Sequence, residues 1–369
     1  PRGHQPNAPG PRRRNHSHLP VIEEEVGLSP DETACPTCGK PAAEISQTED
    51  SEIIEIEVCA HRRRIRRKRY RRTCDCPDVP QTLTAPAPPK LISKGRYGVS
   101  VWVHLLLAKF ASHRAWGNAI EALSHYDLDL PQGTITDGLK RIELLLQPIY
   151  TALHERNVQS AFHHADETRW LVFVEKQGKD NYRWWLWVFA GEDSIVYVLD
   201  PSRSHEVPEG HFPTDAQGVL IVDRYSAYKA MKQVQTGKLI LVFCWAHVRR
   251  DFVRVGKGYP ELKQWALTWL RQIRELYRLH RERRQHQLAS REYAQVDATL
   301  RQHVAAMCQQ RNAELADQKL REPCRKVLAS LREHWSGLTV FLDDPRIPLD
   351  NNFAERLMRS PALGRKNYY

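Results

Sequence analysis

The chain has 369 residues and a formal net charge of +11, from 55 Lys and Arg against 44 Asp and Glu. Apolar residues make up 41% of it and include ten Trp, which excludes a disordered protein. At about 150 residues per domain, the length indicates two or three domains. We expect a folded, basic, intracellular protein with neither signal peptide nor membrane span, because every apolar run is far shorter than the ~20 residues that cross a bilayer.

The first 95 residues divide by composition into three parts. Residues 1–30 are rich in Pro, Gly, Arg and His and predict a flexible basic arm. Residues 31–78 hold five of the eight cysteines and predict a small domain, in which the apolar alternation of residues 52–58 favours a strand. Residues 79–95 are rich in Pro and predict an extended linker. Because the chain opens without Met and stops directly after a basic helical segment, we also expect truncation at both ends.

The cysteines of the small domain predict a structural zinc site. A C-x-x-C knuckle and a shorter C-x-C knuckle supply the four thiolates that tetrahedral zinc requires, and this clustering favours metal in a reducing compartment over disulfides. The four predicted ligands are Cys35, Cys38, Cys74 and Cys76. Since the second knuckle is one residue short, Cys59 or His61 is an alternative to one of them.

A strongly basic strip follows within the same domain. It runs from Arg62 to Arg72 and contains no acidic residue. Its nine cations are Arg62, Arg63, Arg64, Arg66, Arg67, Lys68, Arg69, Arg71 and Arg72. In a β-ribbon these side chains would lie on both faces, and beside a zinc knuckle they predict contact with DNA phosphates, because neutralising phosphates releases condensed counterions. The alternative is a solvated surface that pairs with the acidic residues 49–57.

The rest of the chain changes from helical to strand periodicity and back. Residues 96–158 have helical spacing that fits three helices, and a break at 127–133 allows a helix-turn-helix. Five short β-branched and aromatic runs then predict a sheet. These runs are Phe162–Val174, Tyr182–Ala190, Ser194–Leu199, Val219–Val222 and Leu239–Phe243. Residues 248–342 return to helical spacing, so the order predicts an α+β fold with a helical insertion.

Three acidic residues occupy positions where a carboxylate is costly or conspicuous. Asp166 lies within the first predicted strand and Asp223 directly follows the fourth, where burial is unfavourable unless a cation or a hydrogen-bond donor compensates. Glu355 falls in a short amphipathic helix. Each has an ordinary alternative, since Asp166 can meet a backbone amide, Asp223 can cap a helix, and Glu355 can form a capping box with Asn352.

Several motifs follow one another in a fixed order along the chain. They are Cys35-Pro36-Thr37-Cys38-Gly39, Asp166-Glu167-Thr168-x-Trp170, Asp223-x-Tyr225-x-x-Tyr228, Cys244-Trp245-Ala246-His247-Val248-Arg249-Arg250-x-Phe252, Asn351-Asn352-x-Ala354-Glu355-Arg356 and Gly364-Arg365-Lys366-Asn367. Together they resemble the insertion sequence 66 family of bacterial transposases over nearly the whole chain. The departures from the family pattern are the short second knuckle and the absent N-terminal and C-terminal segments.

The resemblance implies a ribonuclease-H-like catalytic domain in residues 159–369, with a D-D-E triad that matches Asp166, Asp223 and Glu355. Such a domain cleaves and joins DNA by in-line displacement at phosphorus, with two Mg²⁺ ions held by the three carboxylates. The implied partners are the element's ends, the target DNA and further copies of the chain, with accessory proteins as a further class. The implied location is the bacterial cytoplasm, at the nucleoid.

The resemblance also suggests supporting residues around the triad. A C-x-x-H element after the second Asp suggests that His247 lines the floor of the active site, against the alternatives of an ordinary core histidine or half of a zinc site. The supporting residues are Cys244, His247, Asn351 and Asn352. The expected DNA-backbone contacts near the acids are Arg249, Arg250, Arg356, Arg359, Arg365 and Lys366. Two rival functions are a non-catalytic zinc-dependent DNA-binding regulator and a nuclease that cuts without joining.

Loss of zinc tests the small domain. We expect Cys35→Ser to abolish zinc binding and to unfold residues 31–78 while the rest stays folded, since metal-binding energy is folding energy in such modules. Elemental analysis of reduced protein and proteolysis measure this, with Cys308→Ser as the control. If the Cys76→Ser variant keeps its zinc and the Cys59→Ser variant loses it, the fourth ligand is Cys59 and not Cys76.

Overall fold

The computed structural model describes residues 17–18, 20–23, 51, 53–54, 58–71, 73, 80, 82–172, 182–365 and 367. The chain divides into two units, residues 1–58 and 59–369, and the fold below belongs to the second. The predicted zinc ligands and two of the predicted DNA contacts lie outside the described residues; they are Cys35, Cys38, Cys74, Cys76, Arg72 and Lys366. No helix in the described ranges is long and apolar enough to cross a membrane.

The predicted strand at 52–58 is wrong where it is described. Ile53, Ile54 and Val58 lie in no strand, and they are 81%, 59% and 52% exposed. An alternating pattern becomes a strand only when another element covers its apolar face and pairs with its backbone. Neither happens at these three positions.

The basic strip pairs with a second strand over part of its length. Strand β1 (Arg69–Arg71) lies antiparallel to β2 (Thr82–Thr84), and the backbone of Lys68 accepts a hydrogen bond from Ala85 at 2.9 Å. All residues from 61 to 71 are exposed, and none of the cations among them forms an ion pair with another described residue. The predicted ribbon is thus confirmed for β1 only.

Three helices precede the main sheet, as predicted. They are α1 (Val99–Leu106, continued by a π-helical turn Leu107–Ala111), α2 (Trp116–Ser124) and α3 (Gln132–Asn157). Their core centres on Trp102, Leu105 and Ile135, each at most 2% exposed. At Gly138 a side chain is excluded, because a Cβ there would lie 1.9 Å from the Trp102 ring.

The central sheet has five strands in the order β5-β4-β3-β6-β7. The strands are β3 (Phe162–Val172), β4 (Tyr182–Ala190), β5 (Ile195–Asp200), β6 (Gly218–Val222) and β7 (Leu239–Phe243), which confirms the five predicted runs. Strand β4 is antiparallel to both β3 and β5, whereas β6 is parallel to both β3 and β7.

Helices surround this sheet and follow it. Within the described part of the chain they are α4 (Glu206–His211), α5 (Ser226–Ala230), α6 (Lys232–Gln235), α7 (Trp245–Gly258), α8 (Lys263–Arg283), α9 (Arg291–Ala316), α10 (Glu322–Glu333), α11 (Trp335–Thr339) and α12 (Asn352–Arg365), with 3-10 turns at Pro260–Leu262 and Val340–Leu342. The block predicted as a helical insertion shares one core with the sheet. Trp187 from β4, Phe252 from α7 and Trp269 from α8 are all fully buried in it.

Strand β3 presents different chemistry on its two faces. Ala165 faces the main core with Trp187 and Tyr228, whereas Trp170 packs with Ala354 and Met358 of α12 in a second core. Because side chains alternate along a strand, position 166 lies on the same face as Trp170. The sheet therefore turns Asp166 toward the helix that carries Glu355.

A buried histidine pair lies beneath the start of β3. His211 is 4% exposed, its ring stacks on Phe189 at 3.8 Å, and its Nε2 lies 2.9 Å from Asn157 Oδ1. Burial, reinforced by the charges of His154 and His163, lowers the pKa of His211 to about 2. Burial also lowers the pKa of His163. Both rings are therefore neutral in the folded protein near pH 7.

These histidines predict sensitivity to acid. Unfolded histidine takes up a proton near pH 6.5, whereas folded His211 does so only near pH 2, so the free energy of unfolding falls as the pH drops below 6.5. The slope from one such group reaches about 1.4 kcal/mol per pH unit. Denaturant titrations between pH 7.5 and 5 measure it. We expect His211→Gln to reduce this slope and the exposed His104→Gln to preserve it; an unchanged slope in His211→Gln would contradict the assignment.

Candidate active site

The parallel pairing of β3 with β6 makes two of the predicted acids neighbours. His163 is paired with Leu220 and His164 with Ile221. Continuing this register by two residues places Asp166 beside Asp223, which directly follows the last residue of β6. The two acids therefore lie side by side where β6 ends, with Asp166 in the interior of the longer β3.

Asn351 attaches α12, the helix that carries Glu355, to β3 beside Asp166. It is 1% exposed and directly precedes α12. Its Nδ2 donates to the carbonyl of Ala165 at 2.7 Å, its Oδ1 accepts from His164 Nδ1 at 2.9 Å, and its backbone N–H donates to Cys244 Sγ at 3.2 Å. One residue thus joins β3, the residue before α7 and the start of α12, through its side chain and its backbone N–H. Two of the predicted supporting residues, Asn351 and Cys244, are structural partners here.

The capping-box alternative for Glu355 is wrong. The backbone N–H of Asn352 donates to Asp350 Oδ1 at 3.2 Å, so the reciprocal partner of a capping box is already occupied. The Glu355 carboxylate instead lies 3.8 Å from His247 Nε2 and 3.9 Å from Arg250. Glu355 therefore faces the site and not its own helix end.

Asp166 is the acid whose protonation is affected by its neighbours. Burial raises the pKa of Asp166 to about 7, the charge of Glu167 adds to the effect, and the carboxylates of Asp223 and Glu355 raise it further against one backbone hydrogen bond from Glu167. Asp223 accepts the backbone N–H of Tyr225 on Oδ1 at 2.8 Å, which is a contact within the turn. The capping alternative for Asp223 is wrong, because the N-cap of α5 is Tyr225 and no side chain caps this helix. The bond from Tyr225 occupies one Asp223 oxygen only. The site therefore concentrates negative charge that is poorly compensated by the protein.

This donor set suits a hard divalent cation by its chemistry. Carboxylate oxygens are the ligands that Mg²⁺ prefers, and a cation would offset the burial and repulsion that disfavour the charged form of Asp166. In the geometry described, no three His, Cys, Asp or Glu side chains among the described residues are arranged to hold one ion together. The described carboxylates therefore provide negative charge at this place but do not form a complete set of metal ligands.

A hydrogen-bonded network that the sequence did not predict lies on the face of β3 opposite Asp166. Glu167, 2% exposed, accepts from Arg203 at 2.6 Å and from the Tyr228 hydroxyl at 2.8 Å. The Arg203 guanidinium lies 3.9 Å from the centre of the Tyr225 ring. Because Tyr225 lies in the turn after Asp223 and Tyr228 lies in α5 directly beyond it, this network ties the turn and α5 to β3. Glu167 stood in a quoted motif, whereas no signal in the sequence pointed to Arg203.

The remaining predicted residues differ in how far they are exposed to solvent. His247 on α7 is half-buried, its Nδ1 is buried without a hydrogen-bond partner among the described residues, and burial lowers its pKa. Cys244 is fully buried, which raises the pKa of its thiol. The predicted DNA contacts Arg249, Arg356 and Arg359 are exposed, Arg250 is half-exposed, and Arg365 donates to the backbone of Arg169.

Comparison with known proteins identifies the family of this chain. A sequence profile described as the Transposase IS66 family matches residues 94–369. The chain belongs to the IS66 family of transposases. That match includes all three candidate acids, Asn351 and the helical block.

Three uncharacterized proteins of Sinorhizobium fredii (strain NBRC 101917 / NGR234) are similar to this IS66-family chain. The protein y4jD is 31% identical over 95% of the chain and 69% of its own length. The proteins y4qI and y4hP are 26% and 25% identical, over 98% and 94% of the chain and 67% and 65% of their own lengths. The chain thus spans about two thirds of each relative.

Asn351 offers a direct test of how the site is assembled. Asn351→Ala leaves the Ala165 carbonyl and His164 Nδ1 buried without a partner, at about 1–3 kcal/mol each. We expect amide hydrogen exchange to accelerate selectively in residues 352–358, since this end of α12 loses its attachment. Met307→Ala in α9, which removes buried apolar contacts, should instead loosen α9. Equal acceleration in both segments would contradict a positioning role for Asn351.

Proposed function

We propose that this protein is a transposase that cleaves the ends of an insertion sequence and joins them to target DNA, using Asp166, Asp223 and Glu355. The observation that supports the proposal most is that the strand register sets Asp166 beside Asp223 and that the charges of Asp223 and Glu355 both act on Asp166, in a chain of the IS66 family. The charges of Asp223 and Glu355 both raise the pKa of Asp166, although the three residues lie far apart in the sequence.

We infer a ribonuclease-H-like architecture for the catalytic part. Three antiparallel strands followed by two parallel ones, in the order β5-β4-β3-β6-β7, support this inference. The first acid lies within the central strand and the second at the end of its parallel neighbour. The third arrives on a helix after a helical block of about a hundred residues, as the 132-residue separation between Asp223 and Glu355 requires.

The proposed metal is Mg²⁺, in a pair of ions held by the three carboxylates. Bound there, Mg²⁺ supplies Lewis-acid stabilisation of the attacking and leaving oxygens of an in-line phosphoryl transfer. The protein's own part is to hold the acids in place. Asn351 fixes the start of α12, and the Glu167–Arg203 pair braces the turn after Asp223.

One cation next to Glu355, Arg250, is suited to the phosphate of the substrate. Arg250 is 48% exposed and lies 3.9 Å from Glu355, too far for a strong hydrogen bond, so its donors remain available for DNA. His247 is neutral near pH 7, because burial lowers its pKa. It therefore adds no competing cation between the carboxylates.

The proposed N-terminal contribution is DNA binding without sequence readout. The described cations from Arg62 to Arg71 are exposed and form no ion pair with a described residue, as a phosphate-contacting strip requires. The zinc site at Cys35, Cys38, Cys74 and Cys76 is the proposed scaffold for this strip. On DNA we propose that the protein assembles as a homo-oligomer, because two element ends are joined in one reaction.

The acids provide the decisive test. We expect Asp166→Asn, Asp223→Asn and Glu355→Gln each to lower the rate of end cleavage and of joining on the order of a thousandfold or more, because each removes a metal-binding charge from the transition state. The assay uses the full-length protein with labelled DNA from the flanks of its own gene. DNA affinity, measured in parallel, should change less than about threefold.

The control and the rival outcomes are distinct. Asp215→Asn changes an exposed acid in the loop before β6, at the opposite end of that strand from Asp223, and should preserve cleavage. Cleavage without joining by the unmodified protein would identify a nuclease. Specific DNA binding without cleavage, unaffected by Asp223→Asn, would identify a regulator.

A further inference from the structure

A basic groove leads away from Glu355 along the helical block. It has a volume of about 780 Å³ and lies between α7, α8 and the start of α12. Tyr277, Arg281 and Asp350 also line an adjoining cavity of about 460 Å³, so the two form one continuous depression. Arg250, which lies 3.9 Å from Glu355, lines the groove at the catalytic end.

Four arginines of one helical stripe give the groove its charge. Arg271, Arg274, Arg281 and Arg284 recur along α8 and its C-cap at helical spacing, and all four are exposed. None of them forms an ion pair or a side-chain hydrogen bond with another described residue. The lining contains a single acid, Asp350. Unpaired cations held this close together repel one another, which favours an anionic ligand.

The length of the stripe matches a run of phosphates. From Arg271 to Arg284 the helix rises by about 20 Å, at 1.5 Å per residue. In a duplex, one strand places a phosphate about every 3.4 Å along the axis, and an unpaired strand can extend further, so the stripe can follow at most about six nucleotides. Guanidinium groups suit phosphates because they donate two parallel hydrogen bonds.

The floor of the groove distinguishes an unpaired strand from a duplex. Val253, Leu267 and Leu270 line it, and Tyr277 adds an aromatic ring. The groove has the size of a small-ligand pocket, so it can take the width of one DNA strand but not that of a duplex. Exposed bases contact apolar and aromatic surfaces, whereas in a duplex their faces are stacked on one another.

We propose that this groove binds an unpaired DNA strand whose backbone runs along α8 toward the three acids. The proposal rests on the proposed function, because it takes DNA as the substrate. It extends that function by assigning Arg271, Arg274, Arg281 and Arg284 to a binding surface outside the catalytic centre. The groove would hold the strand beyond the reacting phosphate after the duplex end has opened.

Binding measurements with two DNA probes test this proposal. The probes are a blunt duplex and the same duplex with a six-nucleotide single-stranded extension, measured by fluorescence anisotropy on the full-length protein at several salt concentrations. We expect Arg271→Gln/Arg274→Gln/Arg281→Gln to weaken binding of the extended probe about tenfold or more. The slope of log affinity against log salt should fall by about 2, at ~0.7 per phosphate contact on a single strand. Affinity for the blunt duplex should stay within about threefold.

The matched control lies on the same helix. Arg278 is bonded to Glu275 at 2.7 Å and to Glu282 at 2.5 Å and lines neither part of the groove, so Arg278→Gln should change neither affinity nor slope. Arg274→Glu, a single exposed change, serves as a second variant and should weaken the extended probe alone. Equal losses on both probes, or no loss on either, would overturn the proposal.

The readout also separates this proposal from the catalytic one. Binding is measured in the Asp166→Asn background, where no cleavage is expected, so it does not depend on the chemistry. Selective loss on the extended probe supports the groove even if the unmodified protein cleaves nothing. Full cleavage with no selective loss overturns the groove and leaves the proposed function standing.

Discussion

The parallel pairing of β3 with β6 is the constraint on which the site depends. It brings position 166 beside position 223 without any contact between their side chains being needed. At this place burial, together with the neighbouring carboxylates, raises the pKa of Asp166 to about 7. The sheet therefore holds charge where charge is unfavourable, which is the condition under which a bound cation stabilises a site most.

The helix that carries Glu355 depends on this sheet in two ways. Ala354 and Met358 pack on the β3–β4 face beside Trp170, which fixes the face of α12 that meets the sheet. Asn351 then fixes where α12 starts, through hydrogen bonds to β3 and to the residue before α7. Apolar packing alone allows a helix to slide, whereas buried directional hydrogen bonds leave one position satisfied.

The helical block joins the active site to a surface that extends beyond it. Helix α7 carries His247 and Arg250 next to Glu355, while α8 carries the arginine stripe of the groove. Phe252 of α7 and Trp269 of α8 stack at 5.3 Å in the core shared with the sheet. The groove and the acids are therefore held by one continuous packing arrangement, so a strand bound along α8 has a fixed direction relative to them.

Much of this protein was determined by the sequence alone. The five strands were predictable because short runs of β-branched and aromatic residues can bury their side chains only in a sheet, and helical spacing identified the flanking helices. The ordered motifs, from Asp166 through Asp223 to Glu355, predicted the family and the candidate acids. These signals are local, since each requires only a few neighbouring residues to be read.

Only the tertiary structure decided which distant groups meet. The sequence allowed Glu355 to cap its own helix, and the fold excluded this because Asp350 takes the Asn352 N–H. Arg203 had no local signal, yet it lies against Glu167 because a loop after β5 returns to β3. The stripe from Arg271 to Arg284 looked like an ordinary exposed helix face until α7 and α12 enclosed it. Contacts between remote segments depend on strand register and helix packing, which no single stretch of sequence encodes.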